Sequence, residues 1–96
     1  MIVAVVLFVS LLSRLSVDDL DHLRWARRAV RLGLGRELRE WAGLSQIEVG
    51  AACGVSHAAV CRWERGNRVP HGSGGIAYGA LLRRWYLERS AEEEIA

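Results

Sequence analysis

Lysine is absent: all thirteen basic side chains among the 96 residues are arginine. Arginine codons are GC-rich and lysine codons are not, so base composition alone accounts for the bias. Any phosphate-binding surface must nonetheless be built from planar guanidinium groups that grip in a bidentate way. Eleven acidic groups leave a formal charge of +2, too small to mark the whole chain as a polyanion binder, so the placement of the arginines matters more than their number. Two cysteines are too few for a disulfide-stapled secreted fold, and a reducing compartment, the cytoplasm, is expected. A single proline beside ten glycines excludes proline-rich or collagen-like material, and an apolar fraction of 51% excludes a wholly disordered chain. At this length there is room for one core, not for a catalytic domain beside a regulatory one.

No apolar run reaches the ~20 residues of a membrane-spanning helix. The longest, Met1 to Ser13, is uncharged but has neither the positive n-region nor the small-residue cleavage site of a secretory signal, so export is not expected. Three readings stand for this apolar N-terminal extension, residues 1–15. It is a helix or strand packed on a partner subunit, a weak membrane-associating segment, or an extension from a start codon assigned too far upstream. A folded unit over residues 16–91 follows, with its core motif at 35–70. Glu92, Glu93 and Glu94 then make an acidic tail, 92–96, expected to be solvated and frayed.

Ser16 to Leu32 reads as a helix. Ser16 can cap it, Asp18, Asp19 and Asp21 sit at the positive end of its dipole, and Arg27, Arg28 and Arg31 gather at the other end, where they read as a solvated face in preference to a binding patch. Leu20, Leu23, Ala26 or Arg27, and Val30 form a modest apolar stripe, and Gly33 and Gly35 punctuate its end. Arg36 to Ala42 carries Leu38, Trp41 and Ala42 at helical spacing before Gly43. Ser45-Gln46-Ile47-Glu48 is a capping box opening a further helix, whose inner face is read as Val49, Ala52 and Cys53. Gly54 supplies a tight turn, Val55 plugs inward, and Ser56 caps a helix running to Trp63 or Glu64.

Two short helices joined by a glycine turn cross steeply, which lets the second project as a rod that fits a DNA major groove. At 100° per residue, Ala59, Val60 and Trp63 share one arc of that rod, while His57, Ala58, Cys61 and Arg62 occupy the other. Small residues for close approach beside long donors for base edges are what groove reading requires.

Residues from about Gly35 to Arg84 resemble the Xre/Cro class of lambda-repressor-like helix-turn-helix proteins. The likeness runs through Glu37-Leu38-Arg39, Gly43-Leu44-Ser45-Gln46, Val49-Gly50, Gly54-Val55-Ser56, Val60, Arg62-Trp63-Glu64-Arg65-Gly66, and Asn67-Arg68 with Pro70. It implies an all-α bundle of four to five helices, here with an apolar N-terminal extension. It further implies base contacts from His57, Ala58, Cys61 and Arg62. Phosphate contacts are implied at Ser45, Gln46 and Ser56, and at Arg65, Asn67 and Arg68 in the loop after the reading helix. Arg39 and Glu64 match a structural pair that links helix one to the end of helix three, with the acid turned inward and neutralised. Two positions depart from the pattern: Gly50 stands where the family has alanine, and Ile47 where it has a polar residue.

Cys53, His57 and Cys61 are each four residues apart, but the turn at Gly54 breaks the face and a fourth ligand is missing, so no metal is expected. No other cofactor is implied. Gly72-Ser73-Gly74-Gly75 lacks the lysine of a phosphate-binding loop and reads as a flexible connector. From Ile76 to about Ala91, Tyr78, Leu81, Leu82 and Trp85 recur at helical spacing. The expectation is a sequence-specific DNA-binding transcription regulator of bacterial or phage type, a repressor that occupies an operator. Its partner is double-stranded DNA; pairing into a homodimer is left open, and a membrane is not expected as a partner. An antitoxin-like protein-binding module and a membrane-associated regulator are the competing readings. With no paired carboxylates in a cleft and no nucleophile beside a base, no enzymatic activity is expected.

Overall fold

The computed structural model describes residues 2–6 and 15–95. Residues 2–6 form a short, exposed helical stretch. The remainder of the extension, on which its three readings largely depend, lies outside the described residues. Among those described there is no strand, and no helix is long and apolar enough to cross a membrane. The folded unit is α1 (Val17–Leu32), α2 (Leu34–Trp41), α3 (Gln46–Cys53), α4 (His57–Glu64) and α5 (Gly72–Ile95).

Local chemistry sets these boundaries. Ser16 and Asp19 exchange hydrogen bonds across the start of α1, with the Asp19 amide donating to Ser16 Oγ and the Ser16 amide to the Asp19 carboxylate, each at 3.0 Å. Ser45 and Glu48 repeat the device at α3, at 3.1 Å and 3.0 Å. The bonds from Ser45 hold the Glu48 carboxyl below the usual range. Left-handed glycines close the turns on either side of α4. Gly54 (φ 71°) lets the Val55 amide reach back to the Gly50 carbonyl, and Gly66 (φ 72°) lets the Asn67 amide reach the Arg62 carbonyl, each at 2.9 Å. After the first turn comes a half-buried Val55 and after the second an exposed Asn67, so one turn faces the core and the other faces out.

The core is Ala26, Ala29, Leu38, Val49, Cys53, Val60, Trp63, Tyr78, Leu82 and Trp85. α5 lies along α1 and closes over α2 and α3, while α3 and α4 pack on each other. Tyr78 is fully buried and stacks on Trp63 with ring centroids 4.7 Å apart. Burial, and then the nearby Glu64 charge, push the Tyr78 hydroxyl above its ordinary range. Burial also pushes the Cys53 thiol up, to about 11, so it remains protonated and acts as a small core group.

Four expectations need correction. The connector at 72–75 is the first turn of α5: Gly74 and Gly75 are buried, and a Cβ at Gly74 would stand 2.4 Å from Val55 Cγ1 while one at Gly75 would stand 2.9 Å from the Pro70 carbonyl carbon. These glycines serve close packing, which offsets their low helix propensity. The acidic tail at 92–96 is helical through Ile95, because glutamate is a good helix former and no glycine or proline follows Gly79. Ala52 is exposed, and Gly50 takes its place on the inner face. Leu20 is also exposed, while Ala29, three residues beyond Ala26, completes the α1 stripe instead.

Candidate nucleic-acid interface

α4 is fixed in its roll about its own axis by what it buries. Val60 and Trp63 enter the core, Ala59 packs at its margin, and Ser56 Oγ caps the helix by accepting from the Ala59 amide at 3.2 Å. Rotation about the helix would expose a tryptophan that is 2% accessible, so the opposite face is committed to solvent. On that face His57 and Arg62 are exposed, and Ala58 and Cys61 are half-buried between them. The result is a low ridge with one long cation at its end. Arg62 has no carboxylate partner among the described residues.

The flanking groups differ in how free they are. Ser45 Oγ is already accepting from the Glu48 amide. Gln46, the first residue of α3, donates from Nε2 to Glu64 Oε1 at 3.1 Å, so its side chain is tied to the protein through one amide hydrogen. The second amide hydrogen and the backbone amides of Gln46 and Ile47 remain for an anion. Beyond α4, Arg65, Asn67 and Arg68 are all exposed.

Behind the ridge, Arg39 and Glu64 form a two-pronged pair. Arg39 Nε and Nη2 donate to the two Glu64 carboxylate oxygens at 2.5 Å and 2.9 Å, and Arg39 Nη1 donates to the Leu44 carbonyl at 2.9 Å. Their side chains are 12% and 4% exposed. The carboxylate raises the Arg39 pKa further above its already high value. One acid thus joins α2, the start of α3 and the end of α4, and its charge is neutralised beside a surface that would otherwise repel phosphate.

Cys53 lies in the core while His57 and Cys61 lie on α4, and no cluster of three His, Cys, Asp or Glu side chains is present among the described residues. Sequence reasoning missed Arg27, which donates from Nε to the Pro70 carbonyl at 3.0 Å and so pins the loop after α4 to α1. Forty-three positions separate the two residues, and no local pattern marks such a bond.

Residues 36–84 match the model of the helix-turn-helix domain family. The chain belongs to that family. The match begins within α2, takes in α3, α4 and the turn between them, and ends midway along α5, leaving α1 and the end of α5 outside the matched segment. No curated protein and no solved structure matches the chain. The second helix of the matched helix-turn-helix is α4.

Proposed function

We propose that this helix-turn-helix protein is a sequence-specific DNA-binding transcription regulator of the Xre/Cro class, acting in the cytoplasm as a repressor that occupies its operator. The observation that carries the reading is the division of α4: Trp63 and Val60 are locked into the core, while His57 and Arg62 stand exposed around small Ala58 and Cys61. Arg62 is suited to guanine O6 and N7, and His57 to a neighbouring base edge. Ser45, Gln46 and Ser56 on one side and Arg65, Asn67 and Arg68 on the other set the rod's height and angle on the phosphates. Repression by occupancy requires no catalysed step and no cofactor. Where two copies pair, a palindromic site places their α4 helices about 34 Å apart.

Selection of bound duplexes from a random pool, followed by shift assays, tests this. Arg62→Ala is expected to relax the preference at one base pair by about 1–3 kcal/mol. Arg68→Ala is expected to weaken all sequences alike and to lower the salt slope by about one contact. Identical behaviour of the two variants would remove the assignment of roles, and a pool with no enriched sequence would remove the sequence-specific reading.

A further inference from the structure

Next to the end of α4 lies a cleft of about 470 Å³ whose walls come from two distant parts of the chain. Arg65 and Arg68 line it from the loop after α4, and Arg27 and Arg31, one turn apart on α1, line it from the other side. None of the four arginines is in a salt bridge among the described residues. The acid that reaches the cleft, Glu64, has both carboxylate oxygens occupied by Arg39 and Gln46. Like charges brought together without a counter-charge repel one another, and Arg27 is held in place by the Pro70 carbonyl. Such a cleft is organised for an anion. The loop that carries Arg65 and Arg68 leaves α4 directly at Gly66, so an anion held here lies beside the reading helix.

We propose that the cleft holds a backbone phosphate of the same duplex that α4 reads, and that Arg31 and Arg27 of α1 extend the phosphate clamp beyond the helix-turn-helix domain itself. The inference rests on the DNA-binding reading of α4. It assigns a binding role to α1, which lies outside the segment matched by the family. Arg31 is exposed and makes no salt bridge among the described residues. Guanidinium groups on both walls suit a phosphate, which accepts from several directions at once.

The test uses the full chain and a fluorescent mixed-sequence duplex of roughly two helical turns, with affinity measured from about 50 mM to about 200 mM salt. Each lost phosphate contact lowers the slope of log affinity against log salt by about 0.9, so the affinity of Arg31→Ala is expected to fall roughly 3.5-fold less over that range than wild type. Arg31→Lys keeps a charge in the cleft and is expected to keep most of the slope. Thermal melts of both variants should match wild type, which separates binding from folding. A wild-type slope retained by Arg31→Ala would overturn the proposal while leaving the reading of α4 in place. Absence of any duplex binding by the wild-type chain would remove both. Preferential loss in Arg62→Ala of base selection, with its salt slope intact, shows that the two regions act separately.

Discussion

Glu64→Ala is expected to destabilise the protein by about 3–5 kcal/mol, the cost of removing one partner from a buried ion pair. Small domains are stable by only about 5–15 kcal/mol, so this single change removes a large share of the total. The reason lies in what the carboxylate holds together. Without it, Arg39, whose side chain is 12% exposed, keeps only the Leu44 carbonyl, and Gln46 loses its acceptor. Arg39→Ala should cost a similar amount, because it strands a carboxylate that is 4% exposed with Gln46 alone. The raised arginine pKa means its share of the stability is fully present below the ordinary arginine range and disappears only as the pH rises through the raised value. Across neutral pH that share is therefore constant. Replacing both residues with methionine should recover much of the loss, since a buried pair exchanged for apolar groups of similar volume is close to neutral. Urea unfolding of the single and double variants measures this; a Glu64→Ala protein within about 0.5 kcal/mol of wild type would show that the pair does not hold the three helices.

Gly79→Ala should be the second most damaging change. A Cβ at this position would sit 1.7 Å from the His22 carbonyl oxygen and 3.2 Å from Ala26 Cβ. The obstruction is backbone, so no rotamer change relieves it and α1 must lift away from α5. Overpacking of this kind costs about 1–3 kcal/mol, and here the upper end is expected; the gain of about 1 kcal/mol from replacing a helical glycine offsets only part of it. The net loss should lower the thermal midpoint by roughly 10 °C. Because the obstructed contact is between α1 and α5, base selection by α4 should persist below the new midpoint. An unchanged melt would mean that α1 and α5 do not approach as closely as the glycine implies.

These two predictions mark what could and could not be read from the chain. The start of α3 was legible because Ser45 and Glu48 meet within one turn, and its end because Gly54 stands where only a left-handed residue closes the helix. The roll of α4 was legible too, since Val60 and Trp63 on one arc and His57 and Arg62 on the other leave little choice of face. At α1 the similar device at Ser16 uses Asp19 in place of a glutamate, so only half of it was apparent. The glycines of 72–75 misled because their composition is that of a linker, while two of the residues they pack on, Val55 and Leu23, are distant in sequence. For the same reason Arg27 and Arg31 read as a solvated face. Nothing near them in the chain shows that the loop bearing Arg65 and Arg68 folds back against them. From the resemblance Gln46 is a phosphate contact, yet part of its amide belongs to Glu64, eighteen positions away.

The central claim is that the exposed face of α4 meets base edges. Amide chemical shifts of isotope-labelled protein, followed as a selected duplex is added, test it most directly. The account predicts that the largest changes fall on His57, Ala58, Cys61 and Arg62, with smaller ones at Gln46 and Asn67. Changes concentrated on the outer face of α5, around Tyr86 and Leu87, with α4 unmoved, would contradict it.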